Sequence, residues 1–159
     1  MATQRSKLKH KARAADFPLA ESSGFLVRDA NRAFQRLLEK RIAPYGLKRG
    51  QWYFLRVLWT EDGLSQRELS ARVGMMEPTT VIALRSMERS GLIRRVRSAD
   101  DKRRAQVWLT PKAQRLRDEL LTLARAITEE AEDAISRNEL ALFRRVITRM
   151  TANLDRITR

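Results

Sequence analysis

Apolar side chains recur at spacings of three and four along most of the chain, which is the pattern of amphipathic helices. The first such stretch predicts a helix from about Gly24 to Ile42, which Pro44 ends. A second helix is predicted from about Arg49 to Thr60, and it is rich in aromatic residues. The apolar band of the first helix is wide, so we expect that helix to pack against more than one neighbour, as at a subunit interface.

The middle of the chain carries the signals of two short helices joined by a tight turn. Ser65 and Glu68 have capping-box spacing at the start of the first helix, and Gly74 suits the turn. The second helix begins near Glu77, where Pro78 fits the first turn. We expect its buried stripe to be Val81, Leu84 and Met87, and its outward residues to be Thr79, Thr80, Ile82, Ala83, Arg85, Ser86 and Arg89.

Two strands are predicted next, from Leu92 to Arg97 and from Gln106 to Leu109, with a basic loop between them. The segment from Arg89 to Arg104 holds seven basic residues against two acidic ones, which makes it the densest cationic stretch of the chain. Helix, turn, helix and basic hairpin in this order predict a winged helix-turn-helix. Such a unit offers one helix to a DNA major groove and a cationic hairpin to a neighbouring minor groove.

The last part of the chain predicts two more helices. Thr110 is expected to cap, and Pro111 to open, a long helix that ends near Ile135. Asn138 is expected to cap a final helix that stays amphipathic almost to the last residue. A helix of that kind more often packs against a partner than against solvent, and a second copy of the chain is the simplest partner.

Composition narrows the class of function. The chain of 159 residues has 33 Lys and Arg against 19 Asp and Glu, a formal net charge of +14, which favours a polyanionic partner such as nucleic acid over the weaker alternative of an anionic membrane. It has no cysteine, and no apolar run approaches the roughly 18 residues that span a bilayer. We therefore expect a cytoplasmic location and no membrane partner.

Catalytic and metal-binding patterns are missing from the sequence. The single histidine, His10, lies in a basic tail over residues 1–16 and has no ligand or general-base partner in view. That tail is either a flexible end or an arm that becomes ordered on DNA phosphate or on a partner subunit. We expect no enzyme activity, no metal and no cofactor.

Specific motifs add a family resemblance. The segment Asp101–Lys102–Arg103 followed by Val107–Trp108–Leu109–Thr110–Pro111, together with Leu69–Ser70 and Glu88–Arg89–Ser90–Gly91–Leu92–Ile93, resembles the multiple antibiotic resistance regulator (MarR) family of bacterial transcription factors from about Gly24 onward. The resemblance implies a mainly α fold with a small β-wing. It implies a helical dimerisation region over residues 17–47 and 111–159, and a winged DNA-binding lobe over residues 48–110.

The resemblance also implies the residues that contact DNA. It places Arg103 at the wing tip in the minor groove and makes Asp101 the acid that holds its neighbourhood in shape. Ile82 and Ala83 stand where the family often has polar or basic residues, so base preferences do not carry over. The predicted DNA-binding residues are Ser65, Gln66, Pro78, Thr79, Thr80, Ile82, Ala83, Arg85, Arg89, Arg97, Lys102, Arg103 and Arg104.

Many members of the family are repressors that a small ligand releases from an inverted-repeat operator. The resemblance therefore implies double-stranded DNA, a second copy of the chain and an aromatic effector, either a carboxylate or an acyl-coenzyme A, as partners. The residues expected to line the effector site are Phe25, Arg28, Arg32, Trp52 and Phe54. Two alternatives stay open: that these five are ordinary core and surface residues, and that the protein is a non-specific architectural DNA-binding dimer.

Overall fold

The computed structural model describes residues 17–97 and 105–158. The predictions made for the basic tail, and for Lys102, Arg103 and Arg104 in the wing loop, lie outside the described residues. The chain divides into two compact units, Met1–Arg115 and Leu116–Arg159.

The first unit contains five helices in its described part, together with three strands. Two turns of 3-10 helix, Leu19–Glu21 and Ala43–Tyr45, flank the first helix. The helices are α1 (Ser23–Ile42), α2 (Arg49–Leu58), α3 (Gln66–Val73), α4 (Glu77–Arg89) and α5 (Pro111–Arg115), and the strands are β1 (Leu64–Ser65), β2 (Ile93–Arg97) and β3 (Ala105–Leu109). This order confirms the winged helix-turn-helix that the sequence predicts.

The core of this unit forms where α2, α3 and α4 meet the sheet. Phe54 and Leu55 from α2, Leu69 from α3 and Leu84 from α4 have no exposed surface. The C-terminal end of α1 contributes Ile42, which is also fully buried. The side chain of Gln51 ties two of these helices together, because its Nε2 donates to Ser86 Oγ at 3.3 Å.

The sheet has three antiparallel strands in the order β1, β3, β2. In the hairpin, Ile93 pairs with Leu109 and Arg97 with Ala105. The sequence predicts this hairpin but not β1, which has only two residues and pairs Leu64 with Val107. The turn before β1 is fixed by Asp62, whose carboxylate accepts the N–H of Leu109 at 2.9 Å.

Gly63 follows in the same turn and lies against an aromatic ring. Its φ is +76°, in the left-handed region. A Cβ at this position would lie 2.5 Å from Cζ2 of Trp108 on β3. Only glycine therefore fits between the turn and the ring.

The second unit consists of α6 (Arg117–Ala131) and α7 (Arg137–Ile157). The prediction of one helix from Pro111 to about Ile135 is wrong in two respects. The helix is interrupted at Leu116, for which the structure offers no physical reason, and α6 ends at Ala131 because the chain turns at Ala134, whose φ is +59°.

The predicted cap of the last helix is also wrong. Ser136, not Asn138, is the N-cap, and it forms a reciprocal capping box with Glu139. Hydrogen bonds from the Ser136 side chain and backbone hold the pKa of the Glu139 carboxyl below its ordinary value. The stabilisation of the ionised carboxylate is therefore present at neutral pH and is lost as the pH falls through the lowered pKa.

Several large apolar side chains remain exposed on α1 in the first unit and on α7 in the second. On α1 they include Leu26 and Phe34, and on α7 they include Phe143, Val146 and Leu154. Exposed apolar stripes of this kind mark helices that pack against another surface. Within the described part of the chain, no helix is both long enough and apolar enough to cross a membrane.

Candidate nucleic-acid interface

The turn between α3 and α4 is held by its own backbone and by one buried side chain. Gly74 has φ +71°, and its N–H donates to the carbonyl of Ser70 at 3.0 Å. The Ser70 hydroxyl, which is buried, donates to the carbonyl of Met75. The angle at which α4 leaves α3 is therefore set by contacts within the turn.

The first turn of α4 is open at its end. Met76 occupies the N-cap position, and no side-chain hydrogen bond caps the helix there. Met76 itself is exposed, and Pro78 lies in the first turn. The start of α4 therefore presents helix N–H groups and a positive dipole end that no capping side chain occupies, with the acidic Glu77 in the same turn.

The inward stripe of α4 differs from the predicted one. Thr80, Leu84 and Met87 are fully buried, whereas Val81 is only half-buried. The prediction that Thr80 points outward is therefore wrong. Spacings of four and three keep residues 80, 84 and 87 on one side of a helix, while repeated spacings of three drift around it.

Thr80 is an unusual core residue because its hydroxyl has no hydrogen-bond partner within the described part of the chain. An unsatisfied buried hydroxyl costs about 1–3 kcal/mol. Valine has the same shape without the hydroxyl. We expect Thr80→Val to raise the free energy of unfolding, measured with urea, by about 1 kcal/mol and to leave DNA affinity unchanged. If the DNA affinity fell while folding stayed intact, Thr80 would instead be a residue that contacts DNA.

The opposite side of α4, which we call the outer face, consists of Thr79, Ile82, Arg85 and Arg89. All four residues are exposed, and Ile82 keeps 68% of its surface accessible. An open groove of about 460 Å³ runs along this side and is lined by Ile82, Arg85, Glu88 and Arg89. The outer face thus combines a hydroxyl, an apolar side chain and two cations.

Glu88 is the acidic residue in this groove, and it was not among the predicted site residues. Its carboxylate Oε2 lies 3.6 Å from Nε of Arg95 on β2. This ion pair links α4 to the wing strand and offsets the negative charge of Glu88 beside a surface that is otherwise cationic. The link could not be found from the sequence, because it depends on the approach of β2 to α4.

The remaining predicted DNA-binding residues differ in exposure and lie on different elements. Pro78 is exposed and Ala83 half-buried, both on α4. Ser65 and Gln66 are half-buried at the start of α3, where the Ser65 hydroxyl accepts the N–H of Glu68. Arg97 is the last residue of β2, next to the undescribed loop.

The five predicted effector residues do not have a common environment. On α1, the Arg28 guanidinium lies 4.4 Å from the centre of the Phe25 ring, and Arg28 and Arg32 both approach the carboxylate of Asp29, at 3.5 and 3.9 Å. Trp52 is buried on α2, and Phe54 is completely buried. Arg28 and Arg32 are therefore exposed and Phe25 is half-buried, whereas Trp52 and Phe54 belong to the core.

Two neighbours of Trp52 were not predicted. The Trp59 ring meets it edge to face, with the ring centres 6.0 Å apart, and Arg56 lies 5.7 Å from the Trp52 ring centre. The aromatic density of α2 was the available signal in the sequence. Trp59 also donates from Nε1 to the carbonyl of Ala113, which connects α2 to α5.

Comparison with known proteins gives a consistent picture. The family model described as "MarR family" matches residues 45–104. The HTH-type transcriptional regulator TtmR of Methylorubrum extorquens (strain PA1) is 34% identical over 96 residues, which cover 60% of this chain and 49% of that protein. The matched region of this chain thus spans about half the length of that relative.

Solved structures extend the likeness to most of the chain. A MarR transcriptional regulator from Methanosarcina mazei Go1 superposes with a TM-score of 0.76 at 27% identity, covering 83% of this chain and 96% of that one. CouR from Rhodococcus jostii RHA1, solved bound to p-coumaroyl-CoA, has a TM-score of 0.73 at 20% identity, covering 85% of this chain and 95% of CouR. At that identity the likeness to CouR concerns the fold alone.

Proposed function

Because this chain belongs to the MarR family of transcriptional regulators, we propose that it binds an inverted-repeat DNA operator as a homodimer and so controls transcription. The observation that carries the proposal is the outer face of α4, where exposed Thr79, Ile82, Arg85 and Arg89 lie opposite a buried stripe. A helix anchored on one side and polar and cationic on the other suits insertion into a major groove.

The dimer is proposed from the unpartnered apolar surfaces. MarR regulators act as dimers. The exposed side chains of α1 and α7, among them Phe34, Phe143 and Leu154, would be removed from water in such an assembly. A two-fold dimer would carry two copies of α4, and those copies match an inverted repeat with half-sites about 10 base pairs apart.

Electrostatics supports a nucleic-acid partner. The net charge of +14 favours association with a phosphate backbone, and the uncapped start of α4 offers N–H groups to a phosphate. Arg97, Lys102, Arg103 and Arg104 would add wing contacts, with Arg103 in the minor groove, as the family resemblance implies. Affinity is therefore expected to fall steeply with salt.

We further propose that the protein is a repressor and that an aromatic carboxylate or aromatic acyl-coenzyme A releases it from DNA. CouR, which has the same fold, binds p-coumaroyl-CoA. Phe25 and the exposed cations Arg28 and Arg32 offer one apolar surface beside positive charge, and Trp52 lies on the neighbouring α2. Release would follow if the ligand prefers a dimer whose two α4 helices are wrongly spaced.

The proposal is tested by selecting binding sites for the full-length protein from random double-stranded DNA. We expect an inverted repeat to be enriched and to compete at least about a thousandfold better than random DNA at physiological salt. Arg85→Ala should weaken binding to that site by about 1–3 kcal/mol, whereas Arg125→Ala on α6 should not. Aromatic coenzyme A thioesters are then added to the preformed complex to measure release.

Two outcomes would contradict the proposal. Equal affinity for selected and random DNA would favour the architectural alternative, in which charge and dimerisation alone produce binding. The proposed homodimer would be contradicted if the enriched sequence lacked two-fold symmetry and sedimentation showed that a monomer binds it.

A further inference from the structure

Ile82 is the most conspicuous side chain on the outer face of α4. It lies opposite the buried stripe of Thr80, Leu84 and Met87, and 68% of its surface is accessible. A large apolar side chain at the centre of an exposed helix face gains nothing from contact with water. The position therefore calls for an apolar partner that arrives from outside the lobe.

The neighbours of Ile82 identify that partner. Arg85 and Arg89 flank it on one side and Thr79 on the other, so the surface around it suits a polyanion. Glu88 lines the same groove, but its carboxylate lies beside Arg95. A hydrophobic side chain beside two cations does not match an apolar protein surface, whereas it does match a base edge between two phosphate backbones.

The chemistry of the major groove leaves one candidate. An isoleucine side chain has neither a donor nor an acceptor, so it cannot discriminate bases by hydrogen bonding. Among the groups that base pairs expose in the major groove, the C5-methyl of thymine is the apolar one. Ile82 also lies in the N-terminal half of α4, and N-terminal residues of such helices contact base edges.

We propose that Ile82 selects thymine in each half-site of the operator by packing against its C5-methyl group. The inference rests on the proposed function, and it names the chemical group on the base, the thymine methyl, that α4 recognises. It is independent of the wing, of the effector and of whether the outcome is repression or activation.

The test removes the methyl group without changing base pairing. Each thymine of the selected site is replaced in turn by deoxyuridine, and the affinity of the full-length protein is measured by fluorescence anisotropy at fixed salt. Losing one buried methyl should weaken binding about three- to fivefold at one position in each half-site. Thymines outside the half-sites should show no change.

Variants of Ile82 assign the effect to its side chain. With Ile82→Ala, the affinities for thymine and deoxyuridine should become equal at that position, and Ile82→Val should retain most of the difference. The same truncation at Ile135, in the turn between α6 and α7, should leave the difference unchanged. These ratios are internal to each variant, so they do not depend on its overall affinity.

The inference is overturned if deoxyuridine is tolerated everywhere in the wild-type site, or if the loss persists in Ile82→Ala. Both results require that a specific site has been enriched. They are therefore distinct from failure of the proposed function, in which no site would be enriched.

Discussion

Replacing Phe54 with alanine is expected to lower the free energy of unfolding by about 3–5 kcal/mol, because a buried aromatic ring is removed and the cavity collapses only partly. Phe54 has no exposed surface and lies in the core with Leu55 and Leu58 of the same helix. Equilibrium unfolding in urea, monitored by far-ultraviolet circular dichroism, gives the value directly.

This measurement also bears on the effector site, since Phe54 was predicted from the sequence to line it. A ring that borders an open pocket already has free space beside it, so its removal would cost far less than removal from a packed core. Phe17, which is exposed, provides the matched control, and Phe17→Ala should change stability by no more than about 0.5 kcal/mol. A loss below about 1 kcal/mol at Phe54 would contradict its assignment to the core.

Gly63→Ala is expected to destabilise the lobe by about 2–4 kcal/mol, the sum of two costs. The left-handed backbone at φ +76° disfavours any residue with a Cβ. The new Cβ would also meet Cζ2 and Cη2 of Trp108 at 2.5 and 2.7 Å, so the ring or the turn must move. Thermal and urea unfolding measure the loss.

Gly46 separates the two costs. It has a similar φ of +69°, but a Cβ there would have no atom within 4 Å. Gly46→Ala should therefore lose only the backbone part, about 1–2 kcal/mol. In a Trp108→Ala background, the loss of free energy of unfolding caused by Gly63→Ala should fall to the same value, because the ring is absent. If Gly63→Ala and Gly46→Ala lowered the free energy of unfolding equally in the wild-type background, the turn would be able to move away from the Trp108 ring without cost.

Local signals in the sequence were enough to predict most of the winged helix-turn-helix. The capping box of Ser65 and Glu68, the left-handed turn at Gly74 and the start of α4 at Glu77 all depend on residues within a few positions of one another. The pairing of β2 with β3 follows from two short strand segments on either side of one basic loop. Such features need no knowledge of the remainder of the fold.

Errors arose where two local signals competed. Asn138 is a cap residue by type, but Ser136 and Glu139 have the same capping-box spacing as Ser65 and Glu68. Spacings of three select Val81, Leu84 and Met87 as the buried stripe of α4, although Thr80 lies four residues before Leu84 and is the residue that is buried. In both cases the correct answer is present in the residue spacing: the capping-box spacing of Ser136 and Glu139, and the four-and-three spacing of Thr80, Leu84 and Met87.

Other features depend on tertiary contacts and had no local signal. β1 exists because Leu64 meets Val107 across the sheet, and the approach of Glu88 to Arg95 depends on the position of β2 beside α4. The proximity of Trp108 to Gly63 is of the same kind. A candidate site built from such contacts becomes visible only in the folded chain.

The division of α4 into a buried stripe and an outer face has a consequence for how this protein can change. Thr80, Leu84 and Met87 hold the helix in place, whereas Ile82 contributes little to the core because most of its surface is free. Substitutions at position 82 should therefore cost almost nothing in folding, and under the proposed contact with thymine they would shift which operators are preferred. A duplicated copy of the gene could acquire a new set of targets through this one codon, and a protein engineer could begin a library there.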